Sequence, residues 1–481
     1  MTEIPELSAV ELQAAIKSKR LSAVEVMSAY LDRIDDLNPR LNAIVSLQDR
    51  QSLFTQAAGK DREIRAGASI GPLHGFPIAI KDSADTKGIK TTYGSPLLAD
   101  NMPTTDEIFV ERIKAAGAII IGKTNVPEFA LGSHTFNPVF GTTANAYDPR
   151  KTAGGSSGGA ATAVASRMLV LADGSDLGGS LRNPAAFNNI FSLRPSIGTI
   201  PSLSPSPFET SMAVNGPMAR SVDDLGLLMS VMAGHDARSP LSREQDPSVF
   251  AHSLDANIAG TRIAWLGDLG GHLPMEDGIL ALCQSSLDVF RHLGCHVETE
   301  LPSFNFEQIW LDWVTLRSWS TMNWLMPYYE DPEKRKLLKP EALWEIERGK
   351  SLNALQLRQA ALGRGRWFAV LQEFMKNFDF ILLPSAQVFP FDTELRWPKA
   401  IAGNEMDTYH RWMEVVVAVT MSGCPVLNVP VGFNPDGLPM GMQIVGRFGD
   451  EIGCLRLASS YDQETRWVQR RPPNMEMARQ N

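Results

Sequence analysis

The stretch from residue 152 to residue 182 constrains this chain most, because it holds two Gly-Gly-Ser segments on either side of an alanine-rich run. Glycine lets the backbone adopt positive φ and lets a bound molecule approach main-chain N–H groups closely. A serine directly after such a turn lies beside donors that can stabilise a developing oxyanion. One such segment is typical of a flexible turn, whereas two around small residues indicate built loops. Ser156 and Ser180 are therefore candidate catalytic residues.

Short apolar segments alternate with helical patterns from about residue 75 onward. The predicted strands are 77–80, 118–121, 295–301, 379–383 and 426–429, and the predicted helices are 107–116, 159–166 and 278–293. Alternation of this kind is typical of sheets that are covered by helices. It predicts an α/β fold with a single large mixed, mostly parallel central sheet that carries helices on both faces.

Two serine-to-glutamate spacings near the N-terminus predict helix starts, because Ser8 with Glu11 and Ser22 with Glu25 fit the capping box. The residues from about 304 to 376 also have a mainly helical pattern. The length of 481 residues on its own allows two or three domains. We expect one domain over residues 1–481, with N-terminal helices at about 1–66 and a helical cap over the sheet at about 304–376.

The composition excludes several classes of protein. A formal net charge of −9 gives no overall attraction for nucleic acid or for anionic membranes. The cysteines (Cys283, Cys295, Cys424 and Cys454) form no CxxC pair, which favours buried thiols over a zinc site or a disulfide framework. Neither a signal-peptide pattern nor an apolar run of membrane-spanning length is present in the sequence. We expect a cytoplasmic protein without nucleic-acid or membrane partners.

Lys81 is the candidate base. It ends the apolar segment 76–80, and burial there would lower its pKa because desolvation disfavours the ammonium. A neutral amine near pH 7 can accept a proton. The alternative is a lysine that reaches solvent and pairs with Asp82, and the residues alone leave both interpretations open.

Ser180 is the better candidate nucleophile, because the successive N–H groups of a glycine-rich turn precede it. Ser156 stands just before a small-residue helix, whose N-terminus favours negative charge on a nearby oxygen. Its alternative role is to cap that helix. No histidine has a recognisable catalytic context and no GxSxG motif occurs, so a lysine-based mechanism fits better than a Ser-His-Asp triad.

Six motifs are spread over nearly the whole chain: GPLHGFPIAIKD at 71–82, GKTNVPE at 122–128, GGSSGG at 154–159, GGSLR at 178–182, GPMARS at 216–221 and GLPMGMQIVG at 437–446. Together they resemble the motifs of the amidase signature family. The resemblance implies a Ser–cis-Ser–Lys triad, in which Ser180 is the nucleophile, Ser156 the bridging serine after a cis peptide bond, and Lys81 the base.

The same resemblance implies roles for neighbouring residues. The backbone N–H groups of Leu177, Gly178 and Gly179 would hold the oxyanion, Ser175 would orient the network, and Asp176 would brace the loop. The reaction would pass through an acyl-enzyme that water hydrolyses, with no metal and no organic cofactor. Several scaffold positions differ from the usual family pattern: Ala144, Ala146, Arg167, Asn189, Ser192 and Arg194.

A tryptophan-rich segment suggests the substrate. Trp310, Trp313, Trp319 and Trp324 stand close together, in a region that covers the acyl-binding channel in the family. This predicts a small-molecule substrate that is a hydrophobic or aromatic amide. The expected substrate-binding residues are Ala130, Leu131, Gly132 and Trp313. Alternatively, the rings only pack the cap onto the body of the protein.

Two other functions stay open at this point. An amidase subunit of a tRNA-dependent Glu/Asp amidotransferase shares the triad but works in a complex, and a non-catalytic relative would only bind amides. The presence of Lys81, Ser156 and Ser180 argues against the second. Esterase side activity would follow from the same acyl-enzyme chemistry. A homodimer is one assembly that the sequence allows.

Overall fold

The computed structural model describes residues 3–209 and 211–473. Their α-helices are α1 (Ala9–Lys17), α2 (Ala23–Leu41), α3 (Arg50–Arg65), α4 (Ile108–Ala115), α5 (Gly158–Ala165), α6 (Arg182–Phe187), α7 (Val222–Met232), α8 (Ile279–His292), α9 (Phe306–Glu330), α10 (Pro332–Arg335), α11 (Pro340–Ser351), α12 (Ala354–Phe374), α13 (Val417–Ser422) and α14 (Glu451–Thr465). Their strands are β1 (Ile44–Val45), β2 (Pro77–Lys81), β3 (Ile119–Thr124), β4 (Phe136–Asn137), β5 (Gly141–Thr142), β6 (Leu171–Asp176), β7 (Phe191–Arg194), β8 (Val214–Ala219), β9 (Arg262–Trp265), β10 (His296–Thr299), β11 (Phe380–Pro384), β12 (Ala400–Ile401), β13 (Asn404–Glu405), β14 (Val426–Phe433) and β15 (Pro439–Val445).

An eight-stranded sheet runs in the order β10-β9-β11-β15-β14-β7-β8-β6. A mixed sheet flanked by helices is what the sequence predicts, but the expected predominance of parallel pairs is wrong. Only β10–β9 and β9–β11 pair in parallel there, and the other neighbours are antiparallel. The antiparallel half is built largely from strands that the apolar pattern missed, because β6 (LADGSD) and β8 (VNGPMA) carry glycine and polar residues.

Lys81 belongs to a second sheet of three strands, in the order β1-β3-β2, so the expectation of one sheet is also corrected. Here β2 runs parallel to β3, and β1 pairs antiparallel to it. The two sheets meet where the Asp173 carboxylate on β6 accepts the backbone N–H of Lys81, with an N–Oδ1 distance of 3.0 Å. This contact brings the end of β2 to the glycine-rich loops.

The N-terminal helices begin where the sequence predicts. Both capping boxes form, with the Ser8 side chain accepting from the backbone of Glu11 and the Ser22 side chain accepting from that of Glu25. The apolar face of α2 is buried, including Val26 and Tyr30.

Helix α5 can pack closely on its neighbours because its side chains are small. All of its residues are buried, and a Cβ atom on Gly159 would overlap the backbone of Asn125 and Ala43. This close approach fixes the N-terminus of α5 beside the end of β3. The loop that precedes α5 is therefore held against the second sheet.

Helices α9 to α12 occupy the region for which the sequence predicts a helical cap. Trp310 and Trp313 on α9 are buried in a core that also contains Val415 and Val416. A smaller core joins Leu325 of α9 and Ile346 of α11 to Phe129. The four cysteines are buried and free, as predicted. Over residues 3–209 and 211–473, we find no helix with the length and apolarity that crossing a bilayer requires.

Candidate active site

The Lys81 side chain lies at the centre of a cluster of serine hydroxyls. It is only 1% exposed. Its Nζ lies 2.8 Å from Ser156 Oγ, 2.9 Å from Ser157 Oγ and 2.9 Å from Ser175 Oγ. The fold thus brings three hydroxyls to one amine: those of Ser156 and Ser157 from the first glycine-rich loop, and that of Ser175 from β6.

Burial lowers the pKa of Lys81 to about 7, although the carboxylates of Asp173 and Asp176 act in the opposite direction. A large fraction of the amine is therefore neutral near pH 7 and carries a lone pair. The alternative ion pair with Asp82 does not form in this structure, because the Asp82 carboxylate accepts from the backbone N–H and the hydroxyl of Thr92. Lys81 is therefore buried among hydroxyl groups and is not a solvated surface lysine.

Ser156 lies one residue before the N-cap of α5, after a cis Gly155–Ser156 peptide bond. The N-cap residue of α5 is Ser157, and its side chain makes no capping hydrogen bond. Both hydroxyls contact Lys81 instead. The structure therefore does not assign the helix-capping role to Ser156.

Ser180 follows β6 in the tight turn that leads into α6. It lines a cavity of about 260 Å³ together with Leu177, Gly178 and Ser156. Ser180 is only partly buried, so its hydroxyl is open to a bound molecule. The Ser180 carbonyl accepts the N–H of Ser157 at 3.3 Å, which ties the two serine loops together.

One of the three predicted oxyanion donors, the N–H of Gly179, is already engaged in a hydrogen bond. The N–H of Gly179, where φ is +90°, donates to Asp176 Oδ1 at 3.0 Å and is therefore already engaged. The N–H groups of Leu177 and Gly178 make no hydrogen bond with the described part of the chain, and both residues line the cavity. The N–H groups of Leu177 and Gly178 are thus the two predicted donors that no described residue engages.

A buried ion pair shapes this turn. Arg182 donates to both oxygens of Asp176, with an Nη2–Oδ1 distance of 2.8 Å and an Nε–Oδ2 distance of 2.9 Å. Burial opposes the charge of Asp176, but Arg182 and Arg194 more than compensate and hold the pKa of that carboxyl well below its usual range. The Asp176 carboxylate thus stays ionised and accepts the N–H groups of the loop.

The scaffold substitutions fit the loop geometry. Arg167 and Asn189, two of the positions that differ from the usual family pattern, have φ of +62° and +53°, in the left-handed region that glycine favours. Ser192 donates to the carbonyl of Leu181 at 2.9 Å. Arg194 donates to the carbonyl of Asp176 at 3.0 Å. Ser192 and Arg194 thereby support the turn around Ser180.

The wall of the cavity differs in part from the expected substrate site. Ala130, Leu131 and Gly132 line the cavity, but Trp313 lies behind the Leu177–Gly178 turn. The Trp313 indole is fully buried, with its Nε1 at 3.5 Å from the Leu177 carbonyl. Trp324 is the tryptophan that borders the cavity, and it is 45% exposed.

Four residues of the site have no individual signal in the sequence: Ser157, Asp173, Arg317 and Thr321. Trp324 belongs to the tryptophan-rich segment, but the sequence does not single it out from the other tryptophans there. Ser157 and Asp173 stand within the glycine-rich region, so proximity alone could have suggested them. Arg317 and Thr321 are four residues apart on α9, which indicates a shared helix face but not what that face contacts. A larger cavity of about 720 Å³ lies elsewhere, beside α7 and α14, and contains none of these residues.

Comparison with known proteins identifies the architecture. The model of the Amidase family matches residues 25–455. The chain is 32% identical over 474 residues to an acylamidase of Rhodococcus erythropolis, covering 97% of each chain. It is 34% identical over 485 residues to a glutamyl-tRNA(Gln) amidotransferase subunit of Synechococcus sp. (strain JA-2-3B'a(2-13)), covering 96% of this chain and 92% of that protein. The crystal structure of a bacterial aryl acylamidase belonging to the amidase signature enzymes superposes with a TM-score of 0.90, at 28% identity and 99% coverage of both chains.

Proposed function

Because this chain belongs to the amidase signature family and is an amidase, we propose that it acts on hydrophobic or aromatic amides through Ser180, Ser156 and Lys81. The observation that carries the assignment of roles is the 2.8 Å contact between the buried Lys81 Nζ and Ser156 Oγ. General-base catalysis by a lysine needs a buried amine with a lowered pKa beside a hydroxyl, and the hydroxyl here belongs to Ser156, which lines the cavity.

In the first half of the reaction, neutral Lys81 accepts the proton of Ser156 as Ser156 accepts that of Ser180. The Ser180 oxygen attacks the amide carbonyl, and the N–H groups of Leu177 and Gly178 stabilise the resulting oxyanion. The C–N bond then breaks as the proton returns through Ser156 to the leaving amine. Water hydrolyses the acyl-enzyme through the same relay, and the carboxylic acid leaves.

The cavity supports the proposed substrate class. One of its sides consists of Phe129, Ala130 and Leu131, and the Trp324 ring packs edge-on against Phe129 with a centroid distance of 5.4 Å. A side built from aromatic and aliphatic side chains favours flat apolar groups over anionic ones. The similar acylamidase and aryl acylamidase are consistent with such a substrate.

A second candidate function is that of an amidotransferase subunit, which the 34% identity to such a protein favours. That function requires a tRNA-binding partner and specificity for glutamine or asparagine. We propose the free-standing amidase instead, because the cavity is bordered by Phe129 and Trp324. Copurification of a stable tRNA-binding partner, with hydrolysis confined to glutamine and asparagine, would favour the amidotransferase subunit over the free-standing amidase.

We further propose that the chain is one domain acting in the cytoplasm. Four buried free cysteines fit a reducing compartment. The oligomeric state is a separate question, and sedimentation velocity at several concentrations would distinguish a monomer from the homodimer that the sequence allows.

The test of the mechanism is covalent labelling. A serine-reactive fluorophosphonate should modify Ser180, as located by mass spectrometry, and Ser180→Ala should lose both labelling and hydrolysis of aryl and aliphatic amides. Ser285→Ala is the matched control, because Ser285 is exposed on α8. Labelling at another residue, or full activity of Ser180→Ala, would contradict the assignment.

A further inference from the structure

Three polar side chains of α9 form part of the wall of the cavity. Arg317, Ser320 and Thr321 all line it, and their spacing of three and four residues puts them on one face of the helix. Arg317 is the one charged side chain among the described residues that line the cavity. An arginine at a substrate cavity calls for a physical explanation, because its desolvation is costly.

Two of the three guanidinium nitrogens of Arg317 are held by the protein. Nε donates to Glu345 Oε1 at 2.7 Å, and Nη2 donates to the Tyr409 hydroxyl at 2.9 Å. The guanidinium carbon lies 5.3 Å from the centre of the Trp313 ring. The third nitrogen, Nη1, makes no hydrogen bond with the described residues, although it carries two N–H donors.

The charge of Arg317 is already balanced. Burial opposes the charge of Glu345, but Arg317 and the hydrogen bonds around it lower the pKa of Glu345 to about 2, so the carboxylate is ionised. The Ser318 hydroxyl donates to its second oxygen at 2.6 Å. The pair is therefore neutral overall, and a substrate carboxylate would add a second buried anion beside Glu345.

We propose that Arg317 Nη1 binds a neutral hydrogen-bond acceptor, such as a ketone or amide oxygen, in the non-reacting part of the substrate. This inference rests on the proposed function and narrows its substrate class to apolar amides that carry a second, neutral acceptor. The hydrogen bonds of Nε and Nη2 hold the guanidinium in place and so fix the direction of the two N–H groups of Nη1. The acceptor must therefore lie at a defined distance from the scissile carbonyl.

The first test uses the unmodified protein and matched amides. Each set contains three analogues that differ at one position along the acyl chain or along the amine. The first has a CH2 group at that position, the second has a ketone carbonyl, and the third carries a carboxylate. A hydrogen bond to a charged donor predicts that the ketone raises kcat/KM about 10- to 100-fold over the methylene compound at one position. Equal values at every position, or a carboxylate that exceeds the ketone, would overturn the proposal.

The second test uses variants. Arg317→Met should reduce the ketone-to-methylene ratio of kcat/KM to about one, while hydrolysis of the methylene compound continues. Because that variant leaves Glu345 buried without its partner, the double variant Arg317→Met/Glu345→Gln removes both charges together. Arg396→Met is the control, since Arg396 pairs with Glu341 at 2.7 Å but does not line the cavity.

The outcomes separate this inference from the function on which it rests. Hydrolysis with fluorophosphonate labelling at Ser180, but with a ratio near one in the unmodified protein, contradicts only the role of Arg317. A ketone-to-methylene ratio of kcat/KM that stays high in both Arg317 variants also contradicts only the role of Arg317. Absence of hydrolysis and of labelling with every amide overturns the proposed function, and this inference with it.

Discussion

Lys81 depends on its surroundings more than any other residue of the site. Its segment in the sequence allows both a base and a solvated partner of Asp82, and the structure shows a buried amine that does not pair with Asp82. Three hydroxyls surround its Nζ, while Asp82 bonds to Thr92. The proposal that Lys81 is the base therefore depends on which side chains the fold brings to the amine, and the sequence contains only the identity of the residue.

The first prediction is the pH dependence of the reaction. Since the base must be neutral, and burial lowers the pKa of Lys81 to about 7, kcat/KM should rise with pH and level off above an apparent pKa near 7. Lys81→Met should reduce kcat/KM about 10²- to 10⁴-fold at pH 8. Rate profiles from pH 5 to pH 9 measure both effects. A rate that is constant over this range would argue against Lys81 as the base.

The second prediction concerns Asp173, which is 1% exposed and accepts the backbone N–H of Lys81. Its carboxylate raises the pKa of Lys81 against the effect of burial. Asp173→Asn removes that charge but keeps an acceptor, so the rising limb of the profile should move to lower pH. The exposed Asp288→Asn should leave the limb in place. A limb that stays in place in Asp173→Asn would limit Asp173 to a structural role.

At the scale of elements, α9 does more than the tryptophan-rich pattern indicates. Trp310 and Trp313 pack in the core, as the alternative interpretation holds, whereas Trp324 borders the cavity. The difference is one of register. The helical period and the crossing of α9 over the Leu177–Gly178 turn decide which ring faces the cavity, and tertiary packing sets both.

The third prediction separates these tryptophans. Trp313→Ala should lower the free energy of unfolding by about 3–5 kcal/mol, because a large buried ring leaves a cavity. Trp324→Ala removes a ring that is 45% exposed, so stability should change little while the ratio of kcat/KM between aryl and short aliphatic acyl groups falls. Urea denaturation and substrate profiles measure the two. An unchanged ratio in Trp324→Ala would show that this ring does not select the acyl group.

At the scale of the whole molecule, the site lies where two sheets meet. Lys81 comes from the three-stranded sheet, while Ser175 and the turn before Ser180 come from the eight-stranded sheet. One hydrophobic core contains residues from Ala9 near the N-terminus to Tyr461 in α14. The geometry of the proposed site should therefore depend on the global stability, because one core contains residues of both sheets.

The fourth prediction follows from this shared core. If the chain is one domain, calorimetric unfolding should show a single transition, with equal calorimetric and van't Hoff enthalpies. Tryptophan fluorescence, to which the four tryptophans of α9 contribute, and far-ultraviolet circular dichroism should report the same midpoint. Two separated transitions, with α9 to α12 unfolding first, would instead make the helical cap an independent unit.

The sequence by itself determined the candidate triad residues and the family resemblance. It also predicted both capping boxes and the positions of most of the helices that it indicated, because motif chemistry and apolar period are local properties. Tertiary structure alone decided the mainly antiparallel pairing of the large sheet, the engagement of the Gly179 N–H by Asp176, and the exchange of Trp313 for Trp324 at the cavity. Strand neighbours, hydrogen-bond partners and the exposed side of a helix depend on contacts between distant residues. The paired Gly-Gly-Ser loops contain the proposed catalytic serines, and packing determines the shape of the cavity beside them.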